Sequence, residues 1–542
     1  MALIGGVGSA GVVGLAAVVT VLVCAQDLAL QPLSSTAGGL AVVAVFMGVG
    51  GATYGWCLRT RTAPPDVTVR GAVPSLATAA PTVLMIGYAL AGRLLPAGTR
   101  NEWFLGGDHV RHVVLAAELQ ADGGLDYTTE VYPRAWHALL SATWTAAGLD
   151  PRRSLVEVID LTALLVWLLA AGMALTTSAL AATLAHRVGT TPHGAGVAAF
   201  VAGCIVLWPP FLANYQALGL QGSVVGACVL AAVLRHQLVD TGGLRAFVVA
   251  VSGCVVLAHT WQLLLPVTGL AAAWSGLSVL RRSRGRARAL VGVLGAGSVA
   301  ASWPAMAAVV NRVGVGHAAE ADIHAPVPWL VLGLGLVAAI VLAVRSRLHE
   351  VPWFLGLLWV PAVTGAVLAW RVGVSPESYY PSKLLWHTAL LSLPSISVVG
   401  VALAVRVDRS AAVGSSLLRV LGGAAAALVL LYAVVGPTAA YTGGWSTVDG
   451  ATVLRLLGAS EAARAQVVHS DGRLVTDTVT RILLDAERPE HDERTPQESL
   501  SIEEECALLE EADDPTVLTD RPVPEIRERY SCVTPIVVVR PG

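Results

Sequence analysis

The sequence predicts an all-α polytopic membrane protein, of about thirteen transmembrane helices, that ends in a small extracytoplasmic α/β domain. Three observations carry that expectation: an apolar composition, apolar runs of membrane-spanning length, and arginines confined to loops of one parity. Hydrophobic residues are 55% of the chain and charged residues 13%, against about 25% charged in ordinary soluble domains. Mean hydropathy is +0.67. A soluble fold of 542 residues could not hide that much apolar surface. The net charge of −2 argues against a nucleic-acid partner, which needs a basic face.

A bilayer core about 30 Å thick takes roughly 20 apolar residues per helix. Runs that meet this length begin near residues 4, 38, 71, 154, 193, 217, 244, 263, 288, 327, 352, 384 and 417. The first lacks a basic leader and runs on into a second span, so it reads as a span rather than a secretory signal. Arg59, Arg61 and Arg70 follow span two, Arg281, Arg282, Arg284, Arg286 and Arg288 follow span eight, and Arg345 and Arg347 follow span ten. Arg406, Arg409 and Arg419 surround the loop after span twelve. All these loops share one parity, so the positive-inside rule makes them cytoplasmic together. The N-terminus is then inside, and the loops 96–153, 209–217, 311–327 and 372–383 and the tail from 441 are outside. This places a transmembrane domain over 1–440 and an extracytoplasmic domain over 441–542.

The loop "NEWFLGGDHVRHVVLAAELQADGGLDYTTEVYPRAWHALLSATWTAAGLDP" is too polar to span and too apolar to be a linker. From Asp108 to Gln120 it fits an amphipathic helix, with Val110, Val113, Val114 and Ala117 on one side and Asp108, Arg111 and His112 on another. Such a helix would lie on the membrane surface as the roof of a lipid-facing cavity. Asp108 stands at the helix start, where it can serve as an N-cap worth about 1 kcal/mol and nothing more. Against that stands density: Asp108, His109, Arg111 and His112, then Glu130, Tyr132, Arg134, Trp136 and His137 after a turn at Gly123-Gly124. A carboxylate among basic groups near the bilayer could take a proton from an incoming hydroxyl. Asp122, Asp126 and Glu130 would accommodate a divalent cation, although no spacing demands one, and no other cofactor is expected.

Lys383, in "WRVGVSPESYYPSKLLWH", is the only lysine in a chain that otherwise uses arginine. With Arg371, Tyr379 and Tyr380 it would suit a phosphate headgroup. A snorkelling lysine in an aromatic belt explains the same stretch without a ligand. His259 and Trp261 lie at the outer end of span seven. In the tail, Cys506 and Cys532 are the only pair of cysteines, and an outside location permits a disulfide between them. "GRLVTDTVTRILL" and "TPIVVVRPG" read as strand or helix pieces, and the acidic stretch between them as partly disordered.

On these stretches the chain resembles the GT-C superfamily of membrane glycosyltransferases. More narrowly, it looks like the actinobacterial arabinofuranosyltransferases of cell-wall biogenesis. The resemblance covers roughly 1–440 and rests on three features: the acidic residue in "GGDHVRH", the run "YPRAWHALLSA" opening the next helix, and "YYPSK" before a late helix. It implies a polyprenyl-phosphate sugar donor, a cell-envelope glycan or lipid acceptor, and inverting transfer. Asp108 would be the general base, and Lys383 with Arg371 or Arg111 would hold the donor phosphate. His109, His112, Glu130, Tyr132, Trp136, His137, Tyr379, Tyr380, His259 and Trp261 would bind substrate. Two other classes fit many spans with polar groups: a catalytically inactive cell-envelope scaffold, and a lipid or glycan transporter.

Overall fold

A computed structural model describes residues 2–59, 69–106, 108–125, 134–207, 211, 219–312, 327–346, 350–410, 449–459, 461–470, 474–486 and 500–541. Glu130, Tyr132, the run near 417 and the 441–448 boundary lie outside them. The first half of the membrane region is built from α1 (Ala2–Asp27), α2 (Thr36–Arg59), α3 (Val69–Gly92), α4 (Ala97–Asn101), α5 (His109–Asp122), α6 (Ala135–Ala146), α7 (Pro151–Arg187) and α8 (Pro192–Ile205). Then come α9 (Gln221–Val239), α10 (Leu244–Ala258), α11 (Leu265–Arg282), α12 (Arg286–Arg312), α13 (Trp329–Arg345), α14 (Glu350–Val372) and α15 (Tyr379–Ser410).

Among the described residues nine helices are long and apolar enough to cross a membrane: α1, α2, α3, α7, α9, α11, α12, α14 and α15. The shorter helices α8, α10 and α13 are apolar as well. The chain is an all-α, multi-pass membrane protein. Lipid offers no partner for a backbone N–H or C=O, so these apolar runs must close their hydrogen bonds within helices. The bundle centres on α7, which packs against α3, α8, α9 and α15. At 37 residues α7 is about 55 Å long and overshoots the bilayer core. Its first turn is set off by a non-helical Ser154 and capped by Asp150, whose side chain accepts from the Arg152 N–H.

Beyond the membrane region lie α16 (Gly450–Leu457), β1 (Val467–Val468), α17 (Leu474–Asp485), α18 (Ile502–Glu511), β2 (Thr516–Leu518), α19 (Val523–Arg529) and β3 (Val537–Val539). The three strands form a parallel sheet in the order β1-β2-β3. Val467, Leu509, Val517, Ile526, Tyr530 and Ile536 pack around it as a small core. The Cys506–Cys532 disulfide forms and ties α18 to the chain after α19. From Leu474 on, "GRLVTDTVTRILL" is the helix α17, and "TPIVVVRPG" supplies β3. Part of the acidic stretch read as disordered is the helix α18, started by a capping box in which Ser501 and Glu504 bond each other's backbone N–H.

This C-terminal unit sits on the segment between α3 and α7. Helix α16 packs on α4, and α17 packs on α5. The expected surface position of α5 is thereby corrected. Val110, Val113, Val114 and Ala117 are buried as the periodicity predicts, but His109 and His112 are buried too. Helix α5 is a strut between α6 and α17, not a roof lying on lipid.

Candidate functional site

Asp108 occupies the N-cap position of α5, yet its side chain makes no capping hydrogen bond. The carboxylate is half-buried and enters no ion pair or side-chain hydrogen bond among the described residues. Helix capping therefore does not account for it. The turn around it is held instead by Gly219, whose φ of +78° suits glycine. A Cβ at Gly219 would lie 2.5 Å from the His109 nitrogen and 2.7 Å from that of Asp108.

The Gly219 carbonyl accepts from His112 Nε2 at 2.7 Å. A carbonyl has no proton to give, so Nε2 carries the hydrogen. Nδ1 of a neutral His112 must then accept from His137 Nε2, which lies 2.7 Å away. Burial holds the His112 imidazole below the usual histidine range; Asp108 and the Gly219 carbonyl oppose that shift, while Arg111 and Lys383 add to it. Next to this pair, Gln221 at the start of α9 bridges two more predicted residues. Its oxygen accepts from the Trp136 indole N–H, and its nitrogen donates to His109 Nδ1 at 2.7 Å. The His109 ring stacks on Phe104 with centroids 4.7 Å apart.

Lys383, in the first turns of α15, is 4% exposed. Its Nζ lies 3.5 Å from the centre of the Tyr379 ring and 5.9 Å from that of Trp261. It makes no hydrogen bond or ion pair among the described residues. The two aromatic faces offset part of its burial, worth about 2 kcal/mol for a desolvated cation, and the Asp108 charge offsets more. Asp108 acts electrostatically on Lys383, on Tyr379 and on His112, so residues 275 positions apart in the chain lie within electrostatic range of one another. Arg111 acts on Tyr379 and His112 from the same helix as these histidines. Trp261 packs against His387, with centroids 5.4 Å apart, and against Tyr380 at 6.1 Å.

Two predicted residues have other positions. Arg371 is exposed at the end of α14 and makes no hydrogen bond or ion pair among the described residues. His259 is fully buried, its Nε2 donating to the Ala301 carbonyl at 2.8 Å, while its own carbonyl accepts from the Ala135 N–H. That is a tie between helices rather than a group facing a ligand. Gly219 and Gln221 escaped the sequence reading. The available signal was a glycine and a glutamine at the start of an apolar run, at the same outer level as the long loop.

Among the described residues no group of three or more His, Cys, Asp and Glu is arranged to hold a metal ion. A cavity of about 350 Å³ lies at the far end of α5, lined by Ser34, Gln120, Thr145, Asp150 and Arg152. Another, of about 630 Å³, is apolar and lies between α10, α11 and α12. Neither is lined by Asp108 or Lys383. Comparison with protein-family models, curated proteins and solved structures returns no match.

Proposed function

We propose that the chain is a membrane glycosyltransferase of the GT-C type, moving a sugar from a polyprenyl-phosphate donor to a cell-envelope glycan or lipid. The reading places about thirteen spans in the cell membrane over 1–440, with the N-terminus cytoplasmic and an α/β domain over 441–542 outside. The Cys506–Cys532 bridge supports that sidedness, because such bonds persist in oxidising compartments.

The observation that carries the reading is the pairing of a carboxylate and an amine that feel each other but do not bond. A buried ion pair with no further role would close to contact, since unpaired polar groups in a membrane protein cost several kcal/mol and mark function. In this reading the substrate lies between the two groups. Asp108 takes the proton of the acceptor hydroxyl as its oxygen forms a bond to the anomeric carbon. The bond from that carbon to the phosphate oxygen breaks, and polyprenyl phosphate leaves with both electrons. The phosphate is already anionic, so Lys383 and Arg111 stabilise its departure without a proton donor.

The test is sugar transfer from a polyprenyl-phosphate donor by the full-length chain. Asp108→Asn should lower kcat about 10²–10⁴-fold with the melting temperature unchanged. Lys383→Met should weaken donor binding about tenfold or more, the worth of a charged hydrogen bond. Full activity in the Asn variant removes the base, and unchanged donor affinity in the Met variant removes the phosphate contact.

A further inference from the structure

The apolar cavity between α10, α11 and α12 ends beside the most concentrated positive charge in the chain. Phe247, Gly276, Leu280, Val291, Gly295 and Trp303 are among its walls. It is an open, shallow groove: Leu277, Val299 and Trp303 on its walls are exposed, and a Cβ built on Gly295 would meet nothing nearer than Phe247 Cζ, at 4.0 Å. Of the two serines on its walls, Ser298 donates to the Val251 carbonyl at 3.1 Å, while the Ser302 hydroxyl is buried with no hydrogen-bond partner among the described residues. Along α12 the walls run from Val291 to Met306, about 22 Å at 1.5 Å per residue. One leaflet's share of the hydrocarbon core is about 15 Å, so a whole acyl chain fits along the groove.

At one end stand Arg281, Arg282, Arg284, Arg286 and Arg288, five arginines within eight positions, all exposed. None makes an ion pair among the described residues. Arg288 alone is committed, donating to the Ser283 carbonyl at 2.7 Å. Helical spacing brings Arg281 and Arg288 to the groove side, because Arg281 lies four positions after the wall residue Leu277 and Arg288 three before Val291. Membrane sidedness does not require so many. The other basic loops carry two or three arginines each, and the rule counts them without regard to a groove.

We propose that this groove binds one anionic diacyl phospholipid, its acyl chains lying along α12 and its phosphate held by the arginines between α11 and α12. Charge complementarity selects the occupant. A zwitterionic lipid would fill the apolar walls equally well, but its own cation offsets its phosphate and it brings no net negative charge to the arginines. Each arginine close to an anionic headgroup contributes about 1 kcal/mol.

The full-length chain in detergent, titrated with dioleoylphosphatidylglycerol and with dioleoylphosphatidylcholine and followed by native mass spectrometry, tests this. The glycerol lipid should bind at least about tenfold tighter. The variant R281Q/R284Q/R286Q should bring the two lipids within about twofold of each other. Gly295→Phe, which fills the groove and leaves every arginine in place, should weaken both. Equal affinity of the unaltered chain for the two lipids overturns the proposal. So does undiminished phosphatidylglycerol binding by Gly295→Phe, which would mean a charged surface without a groove. Should the triple variant fail to insert, the unaltered chain and Gly295→Phe decide the matter by themselves.

Discussion

Asp160 and Asp108 lie at the same end of the helix bundle, and basic side chains meet them differently. Asp160, on α7, accepts from Arg93 at 2.5 Å, from Arg100 at 2.7 Å and from the Asn101 amide at 3.1 Å. Those contacts bind α3 and α4 to α7, and α4 in turn carries the C-terminal unit. Asp108 has basic groups within electrostatic reach and touches none of them. A closed cluster of this kind holds helices together, whereas an open one keeps its charges available to a third party. Ionisable residues near a membrane thus divide by whether their partners are already in contact, and chain position alone does not separate them.

That division can be broken by experiment. The largest effect should come from Asp108→Asn, with activity falling about 10²–10⁴-fold and stability unmoved. Asp160→Asn should do the reverse. It removes the charge that two guanidinium groups share and should cost about 1–2 kcal/mol, because Arg93 is partly exposed and Arg100 keeps its bond to the Leu95 carbonyl, read as a lower midpoint in thermal unfolding. Donor KM of the remaining folded protein should be unchanged. If Asp160→Asn abolished transfer in folded protein, the two clusters would not differ in role.

Gly219→Ala should cost about 1–3 kcal/mol, because a positive φ and a contact under 3 Å to backbone act together. It should also depress activity, since the α5 start must shift. Lys383→Met removes a buried amine that lacks hydrogen bonds and should raise stability by about 1 kcal/mol while donor binding falls. A lysine that only supports the fold would show stability and binding falling together.

An effect confined to one pH range sharpens the contrast with the C-terminal unit. Burial pushes the Asp477 carboxyl up to about 6; hydrogen bonds from Ser470 oppose this, and Glu505 and Asp520 add to it. A carboxyl raised when folded contributes stability that is whole below its unfolded value, about 3.9, and is lost as pH rises through 6. Asp477→Asn keeps the Oδ1 that accepts from Ser470 N–H and Oγ. It should therefore stabilise the unit by about 1–2 kcal/mol at pH 8 and by nothing below about pH 4, in unfolding followed across that range. His112 runs the other way. Burial lowers it, so its contribution is present above about 6.5 and is lost as pH falls.

The membrane class was legible because hydropathy and helix length are local properties of the chain. The Cys506–Cys532 bridge was legible because only two cysteines stood in the polar tail. Asp108 and Lys383 could be selected by their rarity in context, one a carboxylate at a helix start and the other a sole lysine. The strut position of α5 was not legible. Its period of 3.6 marks one buried face, while His109 and His112 are buried by Gln221, Gly219 and His137, partners that no local pattern announces. Nor could the sequence separate His259 from His137, since a buried histidine reads alike whether it meets a carbonyl or a second ring.

The central claim is that Lys383 and Asp108 flank one phosphate-bearing substrate, and cryo-electron microscopy of the full-length chain with a polyprenyl phosphate tests it most directly. The account predicts phosphate density within hydrogen-bonding distance of Lys383 Nζ, with Asp108 facing it across a gap of acceptor size. Density for the phosphate at another place in the molecule, with the Asp108–Lys383 gap closed or empty, would contradict it.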